Sequence, residues 1–374
     1  MAEYFLTVAR GLEALAAAEL ADLGAEAITP EFCGVAFEGD RALLYRVNLW
    51  SRLGFRLLVQ LAMGPCGDGD DLYQTVQQID WRPHLPPDHT LAVDATGKNR
   101  RLNHSHFTAL QVKNAIVDQQ RQHWGERSDI DSQQPDVRVN VHIRGDRAMI
   151  SLDSSGHSLH RRGYRPAVGS APLKESLAAA LVTWSGWSGD MPLIDPLCGS
   201  GTLPLEASLK ALNIAPGLFR EQFGFETWPD FDATLWQQLL QDAQASQKPD
   251  LETMIWGCDR DPEMIQQASD NAKRCGLERQ IEFFEQELSE LVAPADRGVI
   301  LCNPPYGERL GQGEDLGQFY RLLGEVLKQR FKGWTAFVLS GNKALAQHIG
   351  LKSAQRIPVY NGSLPCQWMM YELY

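Results

Sequence analysis

Pro192-Leu193-Ile194-Asp195-Pro196-Leu197-Cys198-Gly199-Ser200-Gly201-Thr202 runs from an apolar strand through a glycine turn into a helix beginning near Thr202. Glycines at such a turn let a ligand approach the backbone closely. The pattern then repeats. Strand Met254–Cys258 leads into helix Asp261–Cys275, and further strands follow at Ile281–Phe284, Val299–Cys302 and Ala336–Ser340. Between the last two lies a helix over Leu316–Phe331, whose Leu316, Phe319, Leu323, Val326 and Leu327 share one face. Alternation of this kind predicts an α/β fold with a parallel sheet covered on both sides. Arg356–Tyr360 and Gln367–Tyr374, joined at Asn361-Gly362-Ser363, predict a closing antiparallel pair.

Upstream the chain has another character. Short strands at Tyr4–Val8, Gly34–Phe37, Thr90–Asp94, Val137–Ile143 and Ala148–Leu152 alternate with helical patterns at Leu12–Leu23, Arg41–Leu53, Leu72–Ile79 and Phe107–Arg121. This predicts small α+β modules. Ser155–Ser170, rich in Gly, Ser and Arg, reads as a linker, and Ile214–Pro249 as an aromatic-rich insertion in a crossover. Of 374 residues, 44% are hydrophobic, enough for two or three cores. Seven scattered cysteines without a CxxC support neither a disulfide framework nor a cysteine zinc site. The N-terminus lacks a signal-peptide pattern and no apolar stretch has membrane-spanning length, so a reducing cytoplasm without membrane attachment is expected. The net charge of −12 is unevenly spread: residues 1–97 carry −8, 98–165 carry +5 and 166–374 carry −9. A basic segment between acidic ones can form a local polyanion footprint or a solvated face.

Three motifs carry chemistry. A dinucleotide site would continue as GxGxxG, but Pro204 stands at the third glycine position. Asp195 is unhelpful to a phosphate and suits a cationic ligand, such as the sulfonium and amino group of S-adenosylmethionine (SAM). In Gly257-Cys258-Asp259-Arg260-Asp261, an acid at the strand end can accept hydrogen bonds from ribose hydroxyls, while Asp261 before Pro262 reads as a helix cap. Asn303-Pro304-Pro305-Tyr306-Gly307 is the sharpest. Its prolines stiffen the loop and leave carbonyls free to accept. The Asn303 side-chain oxygen and the Pro304 carbonyl can each take one hydrogen of an exocyclic amine, localising its lone pair, while Tyr306 offers a stacking face. The bland alternative is a structural Pro-Pro turn with a buried tyrosine. His157 and His160 form an HxxH without a convincing third ligand, so no metal is expected. Trp228, Trp236 and Trp256 read as packing, and no Ser/His/Asp or cysteine-nucleophile arrangement is present.

These motifs, in this order and continued by Glu308 and Arg309, resemble the guanine-N2 rRNA methyltransferases, class-I SAM-dependent enzymes. Arg161-Arg162-Gly163-Tyr164-Arg165 and Ala171-Pro172-Leu173-Lys174-Glu175 resemble the segment that closes over the cofactor in that family. The N-terminal half is similar to their ferredoxin-like plus THUMP arrangement, and the likeness spans nearly the whole chain. It implies a Rossmann-like methyltransferase domain with a seven-stranded, mostly parallel sheet at 171–374. A ferredoxin-like part at 1–44, a THUMP RNA-binding domain at 45–155 and a linker at 156–170 would precede it. It implies that Asn303, Pro304, Pro305 and Tyr306 hold a guanine, and that Pro172, Asp195, Cys198, Gly199, Gly201, Thr202, Asp259, Arg260 and Asn303 surround SAM. Gln286-Glu287 stands where the family usually has an Asp for the adenine amine.

Lys98, Arg100, Arg101, Asn103, His104 and Lys113, with Arg161, Arg162 and Arg165, are the expected RNA-binding residues. The implied product is N2-methylguanosine in 23S rRNA, at guanosine 2445, made on rRNA or a large-subunit assembly intermediate. The natural polypeptide is then expected to continue past Tyr374 into a second methyltransferase. Competing readings are an adenine-N6 methyltransferase of nucleic acid and a non-catalytic RNA-binding protein with a SAM fold. A nicotinamide dehydrogenase is disfavoured by Pro204.

Overall fold

Two seven-stranded sheets organise the chain in this computed structural model, which describes residues 1–165, 173–306 and 315–374. One unit comprises residues 1–8, 16–159 and 220–241; the other comprises 9–15, 160–219 and 242–374. In chain order the elements up to residue 153 are β1 (Ala2–Val8), α1 (Glu13–Asp22), β2 (Glu26–Glu31), β3 (Gly34–Gly39), α2 (Arg41–Trp50), β4 (Gly54–Pro65), α3 (Gly69–Gln77), β5 (Leu91–Lys98), α4 (Ser105–Trp124), β6 (Val137–Arg144) and β7 (Arg147–Asp153). They are followed by α5 (Glu175–Ser185), β8 (Leu193–Asp195), α6 (Thr202–Ala211), α7 (Ala233–Ala245), β9 (Ile255–Asp259), α8 (Pro262–Arg274), β10 (Ile281–Glu285), β11 (Val299–Cys302), α9 (Leu316–Arg330), β12 (Thr335–Ser340), α10 (Lys343–Gln347), β13 (Gln355–Asn361) and β14 (Leu364–Glu372).

The first sheet has the order β2-β3-β1-β4-β7-β6-β5. Its pairs are antiparallel except the parallel pair β5–β6. The twelve-residue β4 pairs with β1 along its first half and with β7 along most of its length, so the expected ferredoxin-like and THUMP parts share one continuous sheet. A boundary at 44/45 therefore falls inside α2, which Asp40 caps by accepting from the Leu43 N–H. Over its described part the expected linker 155–170 passes from the first unit to the second between Leu159 and His160, and it is packed rather than solvated. Ser155, Leu159, Arg162 and Tyr164 are buried, and the Ser155 hydroxyl bonds Asn48 at 2.8 Å. Small and polar residues there satisfy buried partners.

The expected insertion is built into the first unit over residues 220–241. Phe223, Phe225, Phe231 and Trp236 cluster about Tyr45, whose ring stacks on Phe225 at 4.4 Å. The Arg220 guanidinium donates to the carbonyls of Ser155, His157 and Ser158. Trp236 thus serves packing, and so does the partly buried Trp228.

The second sheet has the order β10-β9-β8-β11-β12-β14-β13, with parallel pairs through β12 and antiparallel pairs at the β14–β13 end. Its central strands are buried on both faces. Along β11, Leu301 enters one core cluster while Ile300 and Cys302 enter the other, which is why the strand is continuously apolar. Chain order runs outward from β8 to β10 on one side and from β11 to β12 on the other, so the order in which strands are added reverses between the parallel neighbours β8 and β11. That switch point leaves a crevice at the carboxyl ends of the strands. Among the described residues no helix is long and apolar enough to cross a membrane.

Candidate active site

Asp195 ends β8, Asp259 ends β9 and Asn303 follows β11, so the three sequence motifs meet at the switch point. Between β8 and α6 the chain turns with Gly199 at φ +50° and Gly201 at φ +83°. The two glycines serve different ends. A Cβ on Gly201 would come within 2.9 Å of the Phe283 ring and 3.1 Å of Ala268, so close packing requires glycine there. A Cβ on Gly199 would meet nothing within 4 Å; its backbone borders open space, as a ligand cradle needs. The turn is anchored where Cys198 N–H donates to the Cys258 carbonyl (2.9 Å) and Gly199 N–H to Asp259 Oδ2 (3.0 Å).

Asp195 is fully buried, and its Oδ1 accepts from the Leu197 N–H at 3.1 Å. Burial pushes its carboxyl well above the usual range, and the Asp259 charge adds to the shift. A buried acid of this kind is stabilised by a cation. Asp259 Oδ1 accepts from Asp261 N–H (3.0 Å), and Asp261 caps α8 ahead of Pro262. Arg260 is exposed. The Gln286 N–H donates to the Asp259 carbonyl at 3.0 Å, while Glu287 is exposed beside it. Cys198 is a buried thiol raised by burial, which leaves it inert as a nucleophile.

Asn303 Oδ1 is shielded from solvent and has no hydrogen-bond partner. Pro304 is buried and Pro305 half-buried. The half-buried Tyr306 ring packs on the second unit's core, and its hydroxyl accepts from Asn361 Nδ2 at 2.8 Å. Burial pushes that phenol up to about 12, so it stays protonated. Gly307, Glu308, Arg309, Ala171 and Pro172 lie outside the described residues.

Two of the arginines expected to bind RNA lie inside the second unit. Arg162 is 1% exposed and faces the equally buried Glu206 at 3.4 Å; the Tyr164 hydroxyl donates to the same carboxylate at 3.1 Å. Arg165 pairs with Glu175 at 3.4 Å and donates to the Thr202 hydroxyl at the start of α6. Burial raises Glu175, but the His160 hydrogen bond and the Arg165 charge outweigh it and hold the carboxyl below its usual range. His160 thus bonds a carboxylate in this cluster. A fully buried, paired cation cannot reach a phosphate, so Arg162 is reassigned to binding the chain together; Arg165 is half-buried and paired, and Arg161 is exposed.

Lys98, Arg100, Arg101 and Asn103 are exposed in the first unit, and Lys113 is half-buried on α4. Arg101 pairs with Asp68 at 2.7 Å. The exposed His104 caps α4 through a long 3.4 Å contact from the Phe107 N–H. Sequence reading missed Arg144 and Arg147. Strand register sets Lys98 beside Arg144 and Arg144 beside Arg147, a cross-strand row over β5, β6 and β7. All three are exposed, and among the described residues none forms an ion pair. The signal was available in Arg144-Gly145-Asp146-Arg147, a tight turn flanked by two cations.

Comparison with known proteins fits this geometry. Family models match in chain order: an RlmL ferredoxin-like domain over residues 3–58, a THUMP domain over 66–153, and an RMKL-like methyltransferase domain over 162–370. The chain belongs to the RMKL-like methyltransferases. A Synechocystis sp. relative, provisionally named an RNA methyltransferase, is 57% identical over 99% of this chain and 97% of its own length. The ribosomal RNA large subunit methyltransferase K/L of Syntrophotalea carbinolica is 42% identical over 99% of this chain but 53% of its own length. This RMKL-like chain thus spans about half the length of the K/L relatives it matches, and the resemblance is to their RlmL half.

Among solved structures, a provisionally assigned methyltransferase in complex with SAH superimposes with a TM-score of 0.90 at 30% identity, covering 100% of this chain and 98% of that one. A predicted N6-adenine-specific DNA methylase from Listeria monocytogenes gives 0.88 at 33%, covering 100% and 96%. The RMKL-like chain is a SAM-dependent methyltransferase, and its residues suit that cofactor. Gly199 leaves the backbone open, and Asp195 is a buried acid beside it.

Proposed function

We propose that this chain methylates the exocyclic N2 of a guanine in 23S rRNA, giving N2-methylguanosine, with guanosine 2445 as the position the resemblance implies. The observation that carries the reading is the Asn303 side-chain oxygen, shielded from water and without a donor. A buried acceptor left unmade costs about 1–3 kcal/mol, and an incoming amine N–H would recover it. Bound SAM supplies an electrophilic methyl group on a sulfonium. In this reading Asp195, Cys198, Gly199, Gly201, Thr202 and Asp259 would hold it, with Gln286 and Glu287 near its base and Arg260 at the rim; Pro172 joins them by resemblance alone.

The chain's own residues then act on the target base. Asn303 Oδ1 and the Pro304 carbonyl accept the two amine hydrogens and turn the lone pair out of conjugation. Pro305 stiffens the loop and Tyr306 carries the purine face, so rate comes from alignment and exclusion of water without a strong base. Extruding the base from its stack is required first. Lys98, Arg100, Arg144 and Arg147, with Asn103, Lys113 and Arg161, would meet the RNA backbone. The partner is rRNA or a large-subunit assembly intermediate in the cytoplasm.

The second reading is an adenine-N6 methyltransferase, because the Asn-Pro-Pro-Tyr chemistry fits any exocyclic amine and the Listeria neighbour carries that name. One experiment separates the two. Unmethylated large-subunit rRNA is incubated with this chain and methyl-labelled SAM, then digested to nucleosides. Label in N2-methylguanosine is expected; label in N6-methyladenosine would transfer the conclusion to the second reading. No incorporation would sink both.

A further inference from the structure

We propose that Asn361 is a positioning residue that fixes the Tyr306 ring for the target base. The inference rests on the reading of Tyr306 as the base-stacking face. Asn361 is the last residue of β13, at the turn into β14, and lies 55 residues from Tyr306 in sequence. Its side-chain amide donates to the Tyr306 hydroxyl at 2.8 Å.

Pro304 and Pro305 restrict the backbone leading to the tyrosine but leave its side-chain torsions open. Two other elements settle those. Gly341, just past β12, lies against one edge of the ring: a Cβ there would come within 2.8 Å of Tyr306 Cδ2 and 3.0 Å of Cε2. The same Cβ would meet Leu364 Cδ2 at 2.8 Å, so neither neighbour leaves spare room. Asn361 then holds the far end of the ring, where a hydrogen bond opposes its swing about the Cα–Cβ bond with the longest lever, while the close edge contact at Gly341 limits rotation about the ring's own axis. The ring is thus located by a stiff loop, a strand end without a side chain and a hairpin amide. A phenylalanine would fill the same volume. The hydroxyl adds a fixed direction, and aligning a weak nucleophile depends on direction.

A hydroxyl at a half-buried position also needs a partner for its own sake, so the test separates orientation from mere satisfaction. The full chain is assayed with unmethylated large-subunit rRNA and labelled SAM, with SAM affinity and melting temperature measured alongside. Asn361→Ala and Tyr306→Phe should each lower kcat about three- to tenfold, leaving SAM affinity and melting temperature near those of the parent. The double variant should be no worse than either single one. Asn361→Asp should restore most of the rate, because the tyrosine hydroxyl can donate to the carboxylate.

Losses that multiply in the double variant, or a parent-like rate for Asn361→Ala, would overturn the proposal. So would a fall in kcat matched by an equal fall in SAM affinity and melting temperature. Tyr306→Ala separates this inference from the reading beneath it. If that variant still transfers methyl groups at the parent rate, the stacking role itself is wrong. If it is inactive while Asn361→Ala is unaffected, only the positioning role fails.

Discussion

Asp195 carries its carboxyl inside the second unit with a single backbone N–H on one oxygen and the Asp259 carboxylate as its charged neighbour. Burial therefore favours the protonated form, and the folded pKa lies above the unfolded one. The sign follows from linkage. The folded chain binds the extra proton, so this group's contribution is present below the unfolded carboxylate range and is lost as pH rises through the folded value. Asp195→Asn should raise the melting temperature of the SAM-free chain at neutral pH and flatten its pH dependence, while weakening SAM binding through loss of the negative charge. Melting curves from acid to neutral pH with a SAM titration check this; a lowered melting temperature with intact affinity would contradict it. Asn303 poses the opposite case, an acceptor unused in the free fold. Asn303→Ala should lower turnover about a hundredfold or more with SAM affinity and stability retained, measured by methyl transfer and calorimetry. Loss of all three together would make the asparagine structural.

At the scale of elements, the regular strands and helices after residue 190 were legible because apolar periodicity and glycine or proline punctuation coincide there. β4 was not, since its register shift between Gln60 and Ala62 breaks the alternation that marks a strand. α5 was missed because it is buried nearly all round and offers no polar face. The segment 155–165 looked like a linker from composition. Its role depends on Glu206, which lies 44 residues beyond Arg162, and no local pattern announces such a partner. The Arg162–Glu206 pair gives a prediction at this scale. Arg162→Ala strands a buried carboxylate and should cost about 3–5 kcal/mol, read from urea unfolding. Replacing Arg162 by Met and Glu206 by Leu, together with Tyr164→Phe so that no buried hydroxyl loses its acceptor, should recover most of that loss. A single variant as stable as the parent would mean that water or rearrangement satisfies Glu206.

For the whole molecule, the α/β half and the mixed upstream half were readable from the change in periodicity near residues 155–170. The single sheet joining both upstream parts was not, nor was the return of residues 220–241 to the first unit. Both depend on pairings between distant segments, Tyr45 with Phe225 for example. Charge distribution links this scale to function. The chain carries −12 overall, so general attraction cannot draw a polyanion to it. On the proposed reading, affinity for RNA would come from a local row such as Lys98, Arg144 and Arg147, whose cations have no ion-pair partner among the described residues. Arg82, paired with Asp80 at 2.8 Å, is already neutralised and serves as a control. If each free cation releases one counterion on phosphate contact, the slope of log affinity against log salt changes by about 0.7–0.9 per cation removed. Arg144→Ala with Arg147→Ala should therefore flatten the slope by about 1.4–1.8, with SAM affinity unaltered and Arg82→Ala leaving the slope as it was. Anisotropy titrations of a labelled rRNA fragment over a salt series measure this. An unchanged slope in the double variant would mean that the RNA backbone runs over another face of the first unit.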